Sequence, residues 1–159
     1  KRQDKIYDKT SNTIRIITAR NKNGRIEVLA AVQRIGTKTT IPVDNGSQGG
    51  LIANIDLNKG TLSAARSLNN KNIYKNHPDS NSKIEGIKIP NWDYIKEEII
   101  KVATKLTDFK FIAWDILPTK DGFYVIEANN SSGVNIIQIF GGQRNKELGN
   151  YYKSQGIIK

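Results

Sequence analysis

The sequence predicts an α+β domain, an antiparallel β-sheet with helices on one face. Three observations predict it. Apolar, β-branched runs arrive as hairpins joined by short turn clusters. One strongly amphipathic helix interrupts them. Strand and helix do not alternate in the way that builds a doubly wound parallel sheet.

Residues 13–20 are rich in isoleucine and threonine and read as a strand, Asn21-Lys22-Asn23-Gly24 as a turn, and residues 26–34 as the returning strand of a hairpin. Residues 36–50 are polar, end in Gly49-Gly50 and read as a loop. Residues 51–57 alternate as a third strand, Asn58-Lys59-Gly60 is a turn, and residues 61–65 form a short fourth strand. A long polar stretch over residues 67–83 holds the only histidine, His77. Pro90-Asn91 then gives a stop and a candidate N-cap for a helix over residues 92–106. Trp92, Ile95, Ile99, Val102, Ala103 and Leu106 recur on one side of it, and Lys96, Glu97, Glu98, Lys101 and Lys105 on the other. Residues 110–117 and 123–129 follow as two strands around Pro118 to Gly122. The tail over residues 141–159 is polar and glycine-interrupted, with a short helix expected near Arg144 to Leu148.

A net charge of +10, from 25 basic and 15 acidic groups, attracts polyanions, be they nucleic acid, a membrane surface or a nucleotide triphosphate. No block of five like charges occurs, so a nucleic-acid-binding tail is not indicated. No apolar run approaches the roughly 18 residues of a membrane span, and no apolar signal segment opens the chain, so it reads as cytoplasmic. The absence of cysteine excludes disulfides and thiolate metal sites. With no methionine anywhere, residue 1 reads as something other than a native start. Neither Gly-x-Gly-x-x-Gly nor a Walker-type Gly-Lys-Thr is present, so any nucleotide is handled by other devices.

The sharpest chemistry lies in Trp114-Asp115-Ile116 and Ile126-Glu127-Ala128-Asn129. Strand alternation puts Glu127 and Asn129 on one face, and hairpin register decides whether Asp115 joins them. A two-residue Asp121-Gly122 turn sets Asp115 opposite Ala128, on the wrong face. A three-residue Lys120-Asp121-Gly122 loop, with Gly122 left-handed, sets it opposite Glu127, and this is the register we expect. Two facing carboxylates repel by a few tenths to about 1 kcal/mol, and a cation between them removes that penalty. Magnesium accepts one or two carboxylates and completes its octahedron with water and phosphate oxygens. Spacing alone leaves a metal site and an ordinary acidic patch equally open, although charges inside such apolar strands call for a reason.

Asp115, then Glu127-x-Asn129 twelve positions on, then Ser132-Gly133, resembles the magnesium signature of ATP-grasp ligases. Many members carry Pro-Gly after the asparagine, where this chain has Asn130-Ser131-Ser132-Gly133. Thr13-Ile14-Arg15-Ile16 and Val32-Gln33-Arg34 resemble the strands that bring arginines to the phosphates in the glutamate ligases. Asp44-Asn45 with Gly49-Gly50 resembles their Asn-x-x-x-Gly-Gly segment. Asn12-Thr13-Ile14-Arg15, Val43-Asp44-Asn45, His77-Pro78-Asp79, Ile89-Pro90-Asn91-Trp92 and Trp114-Asp115 are similar to a narrower group, the sugar-transfer-associated ATP-grasp proteins.

The resemblance implies an ATP-dependent carboxylate–amine (or related) ligase working through an acyl phosphate, in polysaccharide or cell-surface biosynthesis. It implies Mg2+ (or Mn2+) on Asp115, Glu127 and Asn129, phosphate contacts from Arg34 and Arg15, and ATP approaching the backbone of Asn45, Gly49 and Gly50. Its partners would be ATP, a carboxylate substrate and an amine or similar acceptor. On this reading residues 1–12 are a lead-in, 13–140 the carboxy-terminal, phosphate-binding half of an ATP-grasp unit, and 141–159 a tail. The earlier subdomain, with its adenine pocket and phosphate-binding lysines, is expected to be missing, so the isolated chain should bind ATP weakly and not turn over. Two other readings remain: a basic nucleic-acid-binding module using Phe111 and Tyr124, and a non-catalytic ATP-grasp-like interaction domain.

Overall fold

The computed structural model describes residues 6–70 and 72–159, so the first five positions of the expected lead-in lie outside the described residues. Among the described residues seven strands form one antiparallel sheet: β1 (Ile14–Arg20), β2 (Ile26–Ile35), β3 (Leu51–Asn54), β4 (Ala65–Ser67), β5 (Ile73–Tyr74), β6 (Phe111–Pro118) and β7 (Phe123–Asn129), in the order β5-β4-β3-β2-β1-β6-β7. Helix α1 spans Trp92–Lys105, and α2 (Asn135–Gln138) and α3 (Glu147–Ser154) follow the last strand. The α+β antiparallel architecture expected from the sequence is present. No helix among the described residues is long and apolar enough to cross a membrane.

Period-2 alternation sorts the strand side chains onto two faces. Ile14, Ile16, Ala31, Leu51, Ala53, Ile112, Trp114 and Ile116 pack under α1, which buries Trp92, Ile95, Ile99 and Ala103. Burying a large apolar side chain of this kind contributes about 1.5–3 kcal/mol, so this face supplies much of the stability. Val102 and Leu106, expected on the apolar stripe, lie at its margin and stay exposed. Ile17, Ala19, Leu29, Val32, Ile52 and Ala113 point the other way, to α2 and α3 through Ile136, Ile137, Leu148 and Tyr151. The major helix thus occupies one face, as expected, and two short helices cover part of the other. The tail read as polar therefore contributes apolar side chains to a core.

Helix α1 is fixed at both ends, but not as the sequence suggests. Asn91 is left-handed at φ 54° and makes no side-chain cap; its amide donates instead to the Lys120 carbonyl at 3.0 Å, tying the helix start to the β6–β7 hairpin. At the other end Arg20 donates to the carbonyls of Ala103 and Thr104, both at 3.3 Å, the location where a cation also meets the negative end of the helix dipole. Trp92 and Trp114 satisfy their indole N–H groups on the Leu57 carbonyl and the Thr18 hydroxyl.

Other boundaries moved. The third strand ends at Asn54, the fourth runs over Ala65–Ser67 rather than residues 61–65, and a two-residue β5 lies inside the long polar stretch. The helix expected near residues 144–148 is α3, Glu147–Ser154. His77 is almost wholly buried. It stacks on Tyr7 at 4.6 Å, its Nδ1 accepts from the amides of Asp79 and Ser80, and its Nε2 donates to the Gly36 carbonyl at 2.8 Å. Two amides on Nδ1 fix the tautomer, and all its polar capacity is spent on holding a loop.

Candidate phosphate and metal face

The β6–β7 register sets Asp115 directly opposite Glu127. The outcome is the expected one, reached by a different turn. Thr119 donates its amide to the Gly122 carbonyl at 2.8 Å, leaving Lys120 and Asp121 as the loop. Gly122 is not left-handed. That turn alone pairs Ile116 with Val125 and would carry Asp115 to Ile126; a bulge between Asp115 and Ile116 inserts one extra residue and brings Glu127 across from Asp115.

On the other side Arg15 of β1 lies opposite Asp115, so Arg15, Asp115 and Glu127 form one row across three neighbouring strands. Ala113 pairs with Asn129, which puts the Asn129 side chain on the same face. Arg34 stands two positions from Val32, itself opposite Arg15, and joins the face from β2. The face is the one that α2 and α3 cover only in part.

Arg15 grips Asp115 with a fork: Nε to Oδ1 and Nη2 to Oδ2, both at 2.6 Å. Its remaining Nη1 donates to Ser132 Oγ at 3.0 Å. Arg34 reaches the same carboxylate, Nη1 to Oδ2 at 3.2 Å, and a second one, Nη2 to Asp44 Oδ1 at 3.1 Å. Asp44 also accepts from the amide and hydroxyl of Thr13, whose Oγ1 accepts in turn from Arg34 Nε at 2.9 Å. Asp115 is 4% exposed, and a carboxylate that deep is tolerated because these charged donors replace its water. Hydrogen bonds from Arg15 to Asp115 hold the Arg15 pKa above its ordinary value against the opposing effect of burial, with the charges of Asp115, Glu127 and Asp44 adding to the same direction.

Of the residues singled out in the sequence, Arg15, Arg34, Asp115, Glu127 and Asn129 share this face. Asn45, Gly49 and Gly50 have roles within their own loop. Asn45 Oδ1 accepts from the amide and hydroxyl of Ser47 and caps a 3-10 turn, Gly46–Gln48. Gly49 ends that turn at φ +107°, where other side chains are strained. A Cβ on Gly50 would meet the Asn45 carbonyl oxygen at 2.8 Å. It is Asp44, their neighbour, that reaches Arg34.

Four contributors were given no role from the sequence: Thr13, Asp44 and Ser132, which lie inside the motifs quoted above, and Arg66, which lies in none. Arg66 pairs opposite Ile52, which pairs opposite Arg34, so it extends the basic part of this face. It donates to the Ile139 carbonyl at 3.0 Å and lies 5.7 Å over the Phe140 ring, bracing α2 against the sheet. Its strand is too short for alternation to reveal.

The donor set fits a hard divalent cation. Asp115 and Glu127 supply carboxylate oxygens and Asn129 an amide oxygen, the ligand chemistry magnesium accepts. Glu127 is exposed and makes no side-chain hydrogen bond or ion pair among the described residues, so its oxygens are open to a ligand. The set is two acids and an amide; no group of three or more His, Cys, Asp and Glu residues able to hold a metal occurs among the described residues. A hollow of about 390 Å3 lined by Thr37, Lys38, Gly49, Asn69, Tyr74 and Asp79 among others shares no residue with this face. Much of its polar lining is already engaged, as in the Thr37–Thr39 and Lys38–Asp79 contacts, and the chemistry is better placed on the charged row.

A family model described as sugar-transfer associated ATP-grasp matches residues 3–150. No curated protein and no solved structure matches the chain.

Proposed function

Because the chain belongs to the sugar-transfer associated ATP-grasp family, we propose that it is the phosphate- and metal-binding half of an ATP-dependent carboxylate–amine (or related) ligase. The observation that carries this reading is the row Arg15–Asp115–Glu127, with Asn129 and Arg34 beside it, on one face of the sheet. Such a row juxtaposes cation-binding oxygens with anion-binding guanidinium groups, which is what a metal–polyphosphate needs.

In the proposed reaction a substrate carboxylate oxygen attacks the γ-phosphorus of ATP, the bond to the bridging oxygen breaks, and ADP leaves. The acceptor nitrogen then attacks the acyl carbon, phosphate departs with the electrons of the C–O bond, and the nitrogen loses a proton. Catalysis of phosphoryl transfer is mostly positioning and charge stabilisation. Arg34 and Arg15 would orient phosphoryl oxygens with fork-shaped donor sets. Asp115, Glu127 and Asn129 would hold Mg2+ (or Mn2+), which when bound neutralises phosphate charge and acts as a Lewis acid. The family's description is the support for placing the reaction in polysaccharide or cell-surface biosynthesis, and the supply of ATP for placing it in the cytoplasm.

The test is calorimetric titration of Mg2+ with a non-hydrolysable ATP analogue into the wild type and Glu127→Ala. The proposal expects measurable binding that falls by about tenfold or more in the variant, a 1.4 kcal/mol change. Equal behaviour of the two proteins would favour a non-catalytic interaction domain.

A further inference from the structure

Asp115 is the acid at the centre of the face, and its lone pairs are already spoken for. A carboxylate offers about four lone-pair directions. Two of these meet Arg15 at 2.6 Å and a third meets Arg34 at 3.2 Å. A bare divalent cation approaching this face finds one open carboxylate, Glu127, one amide, Asn129, and two guanidinium charges on the aspartate it needs. Magnesium-like ions surrender water reluctantly and are held by one or two carboxylates together with phosphate oxygens, which a free cation does not bring.

Building on the reading above, we infer that Arg15 makes this face selective for a divalent cation that arrives with its polyphosphate, and holds the free cation off. Phosphate oxygens give the guanidinium groups of Arg15 and Arg34 replacement acceptors of the kind arginine binds in pairs. Asp115 then becomes available on the side facing Glu127. Arg15 already has a second direction to bond in, since its Nη1 reaches Ser132 on the loop after β7. The exchange leaves no buried charge unpaired: the arginine trades a carboxylate for phosphate, and the carboxylate trades an arginine for metal. Linkage requires the effect to be reciprocal, so the cation must raise the affinity for polyphosphate by the factor by which polyphosphate raises the affinity for the cation.

The experiment compares three titrations by calorimetry on the full chain: Mn2+ alone, inorganic tripolyphosphate alone, and their preformed 1:1 complex. The wild type should bind the complex at least about tenfold more tightly than Mn2+ alone, within the usual range of coupling between sites. In Arg15→Gln, with fold checked by circular dichroism, Mn2+ alone should bind several-fold more tightly than in the wild type and the complex more weakly, so the ratio collapses. Arg15→Lys, which keeps the charge but loses the fork, should move both affinities in the same directions by less and serves if the glutamine variant does not fold. Wild type binding Mn2+ alone as tightly as the complex would overturn the inference without any variant. A folded Arg15→Gln that binds Mn2+ no tighter than the wild type would also overturn it, while leaving the ligase reading intact. Absence of binding by all three ligands to the wild type would remove that reading itself.

Discussion

Arg15 and Asp115, a hundred positions apart in the chain, face each other in the β1–β6 register and share two hydrogen bonds of 2.6 Å. The pair stitches the first hairpin to the last, and it sits where the proposed chemistry would occur. Structure and function therefore draw on the same contact, and variants must be chosen to separate them.

Asp115→Ala should destabilise the fold. It leaves Arg15 and one nitrogen of Arg34 without their carboxylate in a largely buried place, and breaking such a pair costs on the order of 3 kcal/mol. Urea titration should show the midpoint falling. A loss below about 0.5 kcal/mol, the range of an ordinary surface change, would mean that the pair is dispensable.

Glu127→Ala should do the opposite. The side chain is exposed and makes no hydrogen bond or ion pair among the described residues, so stability should change by no more than about 0.5 kcal/mol. Binding of the metal–nucleotide should still fall by about tenfold or more. The dissociation of the two readouts in one variant marks a residue kept for a ligand and not for the fold.

Asp44→Asn tests whether Arg34 is aimed by its anchor. Asp44 is buried and accepts from Thr13 twice and from Arg34. Hydrogen bonds to a charged group contribute about 1.5–3 kcal/mol, so denaturant stability should drop by roughly that amount. Because the two act as one unit, the double variant with Arg34→Gln should lose less than the sum of the single losses, by 0.5 kcal/mol or more in a double-mutant cycle. Strict additivity would separate Asp44 from Arg34.

Gly50→Ala distinguishes packing from ligand approach as the reason for the glycine. Its Cβ would lie 2.8 Å from the Asn45 carbonyl oxygen, so the apo protein should lose about 1–3 kcal/mol through overpacking, read from its thermal midpoint. Unchanged stability with weakened nucleotide binding would instead favour a backbone surface kept clear for ATP.

The first and last hairpins and the one long helix were legible because their side chains repeat with a period, and hairpin loops are short. β5 was not: Ile73-Tyr74 is too short to show alternation, and it pairs only because β4 presents an edge to it. The Asp115–Glu127 pairing was legible as a choice between registers. Its actual cause, a two-residue turn corrected by a bulge, was not, because a bulge has no signature in isoleucine-rich sequence. Carboxylates, amide and arginines stood out as polar residues inside apolar strands. Asp44 and Thr13 did not, since loop and strand-edge polar residues are common and only the fold shows them buried against Arg34. Asn91 shows the reverse error: it has the residue type and position of an N-cap, yet tertiary contact with Lys120 takes its side chain.

Paramagnetic broadening tests the central claim most directly. Mn2+ with a non-hydrolysable ATP analogue should be titrated into isotope-labelled full chain while backbone amide signals are followed. Metal held by Asp115, Glu127 and Asn129 predicts strongest broadening at those residues and at Arg15 and Ser132, with Lys38, Asn69 and Asp79 spared. Broadening centred on Lys38 and Asp79, or signals unchanged at Asp115 and Glu127 when the ligand is bound, would contradict it.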